Sequence, residues 1–318
     1  RAQMLPLRLR HWAALLLGVW SGVGLPSGLL SIPGAQQSIF ASRLRCRALV
    51  GQPQHRRPAG KMPEIDTLIF DIDDTLYPLS SGFSDHRNGE VVTSFMVEKL
   101  GFKSKTEAKA LRDEYFRRYH SSMKGFRVAD AEGVLPKPFK QEELAEYFAE
   151  RCDFARYCKL DPAFVEALQS LSKVGLTFVA FTNAPRQYGL RCLDFLGVRS
   201  LFPDPHVFAV EDVLPACKPE PEAFRKVIEA VGTSGERCVM FEDSMKNIHA
   251  AKALGIHTVL VDEGTGGGEA ALLQDTPDHN DPAVDAVLQR IGELRTKLPS
   301  LWQRRFEPCG SVTPAGAA

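Results

Sequence analysis

The sequence predicts an α/β fold in which a doubly wound, Rossmann-like parallel sheet carries a helical cap inserted after its first strand. Short apolar runs alternate with helical patterns from residue 176 onward, and strands that alternate with helices form parallel sheets. The first apolar run, at residues 68–70, is separated from the second by residues 80–170, where apolar side chains recur at helical spacing. With 44% hydrophobic and 25% charged residues, the 318-residue chain can bury a real core.

The core strands are predicted from short apolar runs that end in polar residues. There are five, at residues 68–71, 176–181, 207–210, 238–241 and 257–261. Core helices are predicted between them, each ended by a glycine, at residues 186–196, from Pro221 to near Gly232, and at 246–254. The cap contains four helical patterns, at residues 91–100, 108–119, 144–148 and 164–171. A last amphipathic helix is expected at residues 283–298.

These patterns divide the chain into segments. Residues 62–79 and 171–300 form the α/β core, residues 80–170 the cap, and residues 301–318 a disordered tail. Residues 1–61 are expected to lie outside the fold, because they are rich in arginine and lack acidic residues, as organellar transit peptides do. The alternatives are a disordered leader or an artefact upstream of an initiator at Met62. The expected location is the cytoplasm, or a chloroplast or mitochondrion if this segment is a transit peptide.

Charge and cysteine content bear on the class of function. The first 63 residues contain eight arginines, one lysine and no acid, so the remainder carries 0 − 9 = −9. A body without excess basicity predicts no nucleic-acid partner. The apolar stretch at residues 13–20 is too short for a stable membrane span. The seven cysteines form no CxxC pair, which favours reduced thiols in an intracellular protein.

Polar side chains gather where three predicted strands end. Asp71, Asp73 and Asp74 follow the first strand, Thr182 follows the second, and Asp243 follows the fourth. The carboxyl ends of parallel strands meet at one edge of a sheet, where ligands bind. Carboxylates packed this closely repel one another away from water, and a hard divalent cation is the simplest compensation. Asp74 is expected to serve only in the turn.

Four motifs resemble those of the haloacid dehalogenase superfamily, in its order and at the matching element boundaries. They are Asp71-Ile72-Asp73-Asp74-Thr75, the strand-terminal Thr182, Lys218-Pro219, and Glu242-Asp243-Ser244. The resemblance covers residues 65–262, and the insertion at residues 80–170 stands where that superfamily has its cap. A closer likeness, to the pyrimidine 5′-nucleotidase branch, rests on residues 71–77, 181–184, 191–197, 217–219 and 243–247.

The resemblance implies a role for each of these side chains. Asp71 is the expected nucleophile, because a carboxylate can attack phosphorus and form an aspartyl phosphate. Asp73 is the expected general acid and base, a role that a raised pKa would suit. Lys218 supplies positive charge beside the nucleophile. The Thr182 hydroxyl and the Asn183 backbone amide are expected to bind the phosphoryl group together with the lysine.

The resemblance also implies a Mg²⁺ cofactor. Its expected ligands are Asp71, Asp243, Glu242 and the backbone carbonyl of Asp73. Mg²⁺ commonly takes one or two carboxylates, waters and substrate phosphate, which fits this set. Asn247, one helical turn beyond Asp243, is expected to orient the lysine or a metal-bound water.

The predicted function is hydrolysis of a small phosphorylated metabolite, because a dehalogenase would not need the second carboxylate, Asp73. The branch resemblance implies a pyrimidine nucleoside 5′-monophosphate as substrate. Two alternatives stay open: a phosphatase or phosphomutase for a sugar phosphate or other small metabolite, and a non-catalytic regulatory protein on the same scaffold. In the cap, His120, Lys124 and Arg127 either meet a base or ribose or belong to a solvated helix face.

Overall fold

A parallel sheet forms the core of the computed structural model, which describes residues 64–264 and 276–307. The sheet has six strands in the order β3-β2-β1-β4-β5-β6. The strands are β1 (Thr67–Phe70), β2 (Thr177–Phe181), β3 (Val207–Phe208), β4 (Cys238–Glu242), β5 (His257–Val261) and β6 (Ala286–Leu288). The predicted fold class is confirmed. The predicted N-terminal segment, residues 1–61, lies outside the described residues.

β1 lies at the centre of the sheet and is buried on both faces, as its uninterrupted apolar sequence predicts. Leu68 and Phe70 face one hydrophobic cluster, and Ile69 faces another. Phe70 stacks on Phe241 of β4, with ring centroids 4.7 Å apart. Because β2 and β4 flank β1, the polar residues that follow these three strands meet at one edge.

The insertion between β1 and β2 is helical, as predicted. Its first helix, α1, covers residues 83–98 and joins an α-helical turn (Phe83–Asp85), a π-helical segment (His86–Val91) and a longer α-helical part (Val92–Glu98). The others are α2 (Lys105–Tyr119), α3 (Ser122–Ala131), α4 (Gln141–Arg151) and α5 (Phe154–Tyr157). The sequence patterns miss α3 and α5, because α3 follows α2 closely and contains Gly125, while α5 is a single turn.

The core helices follow the predicted alternation with strands. They are α6 (Pro162–Ser172), α7 (Arg186–Phe195), α8 (Val210–Val213), α9 (Pro221–Val231), α10 (Met245–Ala253) and α11 (Leu294–Lys297). Short 3₁₀ segments lie at Leu79–Ser81, Arg199–Leu201, Asp204–His206, Gly235–Arg237, Ile291–Glu293 and Pro299–Gln303.

α6 lies at the predicted junction of cap and core. It begins where the sequence predicts, because Asp161 Oδ1 accepts a hydrogen bond from the backbone N–H of Ala163 at 2.9 Å. The helix packs against the core segments Arg199–Leu201 and Ile291–Glu293. This packing favours placing α6 with the core, although the sequence patterns assign it to the cap. The other domain boundaries stay predictions.

The predicted amphipathic helix at residues 283–298 is wrong. That stretch forms β6, which pairs in parallel with β5, then a 3₁₀ turn and the short helix α11. Leu288, Ile291, Leu294 and Leu298 are all buried. Their spacing suggests one long helix, but each side chain reaches the core from a different short segment.

The predicted disordered tail from residue 301 is also wrong for the residues that the structure describes. Leu301 is buried in a 3₁₀ segment, and the Phe306 ring lies 4.8 Å from the His257 ring. The backbone carbonyl of Arg304 accepts a hydrogen bond from the backbone N–H of Ile65 at 2.8 Å. The last described segment therefore packs beside the residues that precede β1. Residues 308–318 lie outside the described residues.

The structure of residues 64–264 and 276–307 bears on two expectations, the lack of a membrane span and the state of the cysteines. Within these ranges, no helix is both long enough and apolar enough to cross a bilayer. Five cysteines in them are buried free thiols, Cys152, Cys158, Cys192, Cys217 and Cys238. The reduced state of the cysteines stays a prediction.

Candidate active site

A cavity of about 110 Å³ opens at the carboxyl ends of β1, β2 and β4. Seven of the eight predicted site residues line it: Asp71, Asp73, Asn183, Lys218, Glu242, Asp243 and Asn247. The eighth, Thr182, is completely buried and lies outside the lining. A smaller adjoining cavity of about 50 Å³ continues toward the cap, and Asp73 and Asn183 line both.

Lys218 stands at the centre of the site. Its Nζ donates to Asp71 Oδ1 at 2.5 Å and to Glu242 Oε2 at 2.8 Å. All three side chains are buried. Burial alone would lower the pKa of Lys218, but the two carboxylates outweigh it and raise the pKa above its usual value. The lysine is therefore held as a cation beside the predicted nucleophile.

Three carboxylates converge close to this lysine. Asp71, Glu242 and Asp243 each offer an oxygen, and these atoms lie within 4.8 Å of one another. Burial, followed by repulsion from Glu242, raises the pKa values of Asp71 and Asp243 well above their usual range. The carboxylates therefore repel one another in this cluster. An all-oxygen donor set of this kind fits a hard divalent cation such as Mg²⁺.

Both oxygens of Glu242 have hydrogen-bonding partners. Oε2 accepts from Lys218, and Oε1 accepts from Asn247 Nδ2 at 3.0 Å and from the backbone N–H of Ser244 at 3.3 Å. Asn247 thus contacts the carboxylate that accepts from the lysine. Its predicted role in orienting the lysine or a metal-bound water stays a prediction.

Asp73 faces a different set of partners. Oδ1 accepts hydrogen bonds from Arg87 Nη1 at 2.5 Å, Tyr77 Oη at 2.6 Å and Tyr188 Oη at 2.9 Å. Oδ2 accepts from Thr182 Oγ1 at 3.1 Å. Among the described residues, the carboxylate cluster that could hold a cation does not include the Asp73 side chain. A role for its backbone carbonyl as a metal ligand stays a prediction.

The pKa of Asp73 is lowered, whereas a raised pKa would suit the predicted general acid and base. Burial alone would raise the pKa of Asp73, but the Arg87 guanidinium and the two tyrosine hydroxyls outweigh it and lower the pKa below its usual value. The sequence does not reveal these partners. Arg87 lies in a charged stretch that resembles a solvated helix face, and Tyr188 lies on a helix remote in sequence.

Two of the three predicted phosphate-binding residues, Thr182 and Asn183, are held by local hydrogen bonds. The Thr182 hydroxyl donates to Asp73 and accepts from the backbone N–H of Ala184 at 2.9 Å. Asn183 Oδ1 accepts from the backbone N–H of Lys218 at 2.9 Å, and Asn183 Nδ2 donates to the Lys218 carbonyl at 2.8 Å. Asn183 therefore positions the lysine loop, and phosphate binding by both residues stays a prediction.

The cap meets the core at the connection between α2 and α3. Asn183 Nδ2 also donates to the carbonyl of His120 at 3.1 Å, and Ser121 Oγ donates to the carbonyl of Asn183 at 3.0 Å. Lys124 forms an ion pair with Glu220 of the core. Of the three cap residues singled out from the sequence, His120 lines both cavities. Lys124 joins the cap to the core, and Arg127 is exposed and lies outside the lining of both cavities.

Asp74 adopts the left-handed conformation of a turn, with φ of 58°. This geometry agrees with the expectation that it serves in the turn. Its side chain has a further contact, because Ser84 Oγ at the start of α1 donates to Oδ2 at 2.7 Å. Asp74 thereby also connects the turn after β1 to the first cap helix.

Fold and site together define a Rossmann-like α/β protein whose centre is built from strand-terminal carboxylates and a buried lysine. The family model described as haloacid dehalogenase-like hydrolase matches residues 65–255. The chain belongs to this family. The match is to the family as a whole and does not distinguish its branches.

Several relatives are similar over most of the chain. Phosphate metabolism protein 8 of Saccharomyces cerevisiae is 26% identical over 253 residues, which cover 74% of each chain. A phosphoglycolate phosphatase of Mesorhizobium japonicum is 24% identical over 199 residues, 62% of this chain and 82% of its own. Among solved structures, a HAD phosphatase from Thermococcus onnurineus has 24% identity and a TM-score of 0.49, covering 73% of this chain and 97% of its own.

Proposed function

We propose that the protein is a Mg²⁺-dependent phosphomonoester hydrolase that works through an aspartyl phosphate on Asp71. One observation carries the proposal: Lys218 Nζ contacts Asp71 and Glu242 at the place where Asp71, Glu242 and Asp243 converge. A nucleophile, a fixed positive charge and a cation position are thus adjacent. A bound Mg²⁺ would be held by these carboxylates and would neutralise charge on the phosphoryl group.

The chain's own residues account for the remaining steps. An Asp71 oxygen bonds to phosphorus as the bond from phosphorus to the leaving oxygen breaks, and that oxygen takes a proton from Asp73. Water then attacks the aspartyl phosphate, gives a proton to Asp73, and releases phosphate with the Asp71 carboxylate restored. Lys218 stabilises negative charge near the phosphoryl group in both steps.

Asp71→Asn tests the mechanism directly, because an amide oxygen is a poor nucleophile toward phosphorus. We expect loss of phosphate release from p-nitrophenyl phosphate in a protein that remains folded. Asp194→Asn is the matched control, since Asp194 is exposed on α7, and it should keep full activity. Phosphate release that persists in Asp71→Asn would overturn the mechanism. A wild-type protein without any turnover would instead support the regulatory alternative.

For the substrate we propose a pyrimidine nucleoside 5′-monophosphate, on the strength of the motif resemblance to the nucleotidase branch. A sugar phosphate or another small phosphorylated metabolite is the alternative, and the phosphoglycolate phosphatase relative supports it. A panel of UMP, CMP, AMP, glucose 6-phosphate and phosphoglycolate separates them by kcat/KM. Preference for UMP and CMP is expected, and preference for either of the last two would replace the nucleotide assignment.

A further inference from the structure

The carboxylate of Asp73 has two oxygens in unlike surroundings. Three donors converge on Oδ1: the guanidinium of Arg87 and the hydroxyls of Tyr77 and Tyr188. Within the described residues, Oδ2 accepts a single hydrogen bond, from Thr182 at 3.1 Å. The side chain is 15% exposed, and Asp73 lines both cavities. Oδ1 is therefore saturated, while Oδ2 keeps capacity for a further hydrogen bond.

Arg87 is held firmly in this arrangement. Its side chain is only 9% exposed, its Nε donates to Asn88 Oδ1 at 3.3 Å, and its guanidinium lies 4.8 Å from the centre of the Tyr188 ring. The two tyrosine hydroxyls are 3.1 Å apart, so they join the same network. A planar guanidinium with several fixed donors holds a carboxylate in one orientation better than a point charge does.

The cap provides this arginine through an irregular helical segment. Arg87 belongs to the π-helical part of α1, His86–Val91, and both Arg87 and Asn88 are buried at the edge of the cavities. π-helical turns are rare and occur frequently at functional sites. The cap thus reaches the core carboxylate directly.

We propose that Arg87 is a positioning residue that anchors Oδ1 of Asp73, with Tyr77 and Tyr188, so that Oδ2 is the oxygen that exchanges protons with leaving group and water. This inference rests on the proposed function. In the first step Oδ2–H gives its proton to the leaving oxygen as phosphorus bonds to Asp71. In the second step Oδ2 takes a proton from water as the bond between phosphorus and Asp71 breaks.

The two steps can be separated with p-nitrophenyl phosphate. Its leaving group is a weak base and departs without a proton, so the first step does not need Asp73. The second step still does. In Arg87→Met, we therefore expect a rapid burst of about one equivalent of p-nitrophenolate, followed by turnover reduced about a hundredfold, the scale of general acid–base catalysis. Arg87→Lys keeps the positive charge but lacks the planar guanidinium, so its turnover should be higher than that of Arg87→Met and lower than that of wild type.

Arg127→Met is the matched control, because Arg127 is exposed on α3 in a surface depression beside Asp130 and Phe139. It should behave as wild type. If Arg87→Met does not fold, Tyr188→Phe is tested instead, because it removes one donor to Asp73 Oδ1 and keeps the aromatic ring. It should show the same burst with a smaller loss of turnover.

Two results would overturn the inference: unchanged turnover in these variants, or a burst rate that falls in proportion to turnover in folded protein. Failure of the proposed function gives different results from failure of this inference. In that case wild type shows no turnover, or Asp71→Asn releases phosphate as wild type does.

Discussion

At the scale of single residues, Lys218 supplies the positive charge that offsets the burial of the Asp71 and Glu242 carboxylates. Its Nζ is the cation between Asp71 and Glu242, and all three side chains are almost inaccessible. Removing one partner from a buried charge group usually costs more than the group contributes, because the remaining charges stay buried without compensation. The lysine proposed to assist catalysis should therefore also be needed for stability.

Lys218→Met should lower the free energy of unfolding by about 3 to 5 kcal/mol at neutral pH and abolish turnover. Urea unfolding with EDTA present, so that no cation substitutes for the lysine, measures the first effect. Lys173→Met is the control, because Lys173 is exposed at the end of α6, and it should change stability by less than about 0.5 kcal/mol. Equal stability of the two variants would contradict this account of the charge balance.

At the scale of elements, the cap is joined to the core by the connection from α2 to α3. Ser121 has two functions there. Its Oγ donates to the carbonyl of Asn183, and the same oxygen accepts from the backbone N–H of Lys124 in the first turn of α3. A lost N-cap and a lost hydrogen bond to the core both loosen α3.

Ser121→Ala should cost about 1 to 2 kcal/mol and speed hydrogen exchange of the amides in α3. Ser172→Ala provides the comparison, since the Ser172 hydroxyl donates to the nearby carbonyl of Gln169 at the surface. Native-state hydrogen exchange resolves the helices separately. Exchange in α3 that stays as slow as in wild type would show that Ser121 does not secure the cap.

At the scale of the whole molecule, cation binding should be coupled to folding. Asp71 lies after β1, while Glu242 and Asp243 lie at and after β4, far along the chain, and they converge only in the folded protein. A ligand that binds only the native state stabilises it by RT ln(1 + [L]/Kd). Adding Mg²⁺ to the metal-free protein should therefore raise its stability.

Mg²⁺ at about one hundred times its Kd should add about 2.7 kcal/mol, a rise in thermal midpoint of roughly 5 to 10 °C for a domain of this size. EDTA should reverse the shift and remove activity. In Asp243→Asn the shift should be strongly reduced, while Asp194→Asn should keep it. A midpoint that does not respond to Mg²⁺ in wild type would remove the metal from the mechanism.

The sequence by itself determined the fold class, five of the six strands and the set of side chains at the strand ends. Local patterns suffice for these features, because a buried strand must be apolar and parallel strands must bring their carboxyl ends together. They did not suffice for β6, whose apolar spacing resembles a helix. Pairing with β5 decides its conformation, and pairing is a property of the assembled sheet.

Only the tertiary structure decided the surroundings of Asp73. Asp71 and Lys218 can be assigned from motifs. Arg87 and Tyr188 donate to Asp73 from two helices, and no local sequence pattern predicts these contacts. That placement lowers the pKa of Asp73, whereas a raised pKa would suit its predicted role. The physical reason is that strand order determines where backbone ends meet, whereas the direction of a helical side chain depends on how each helix packs.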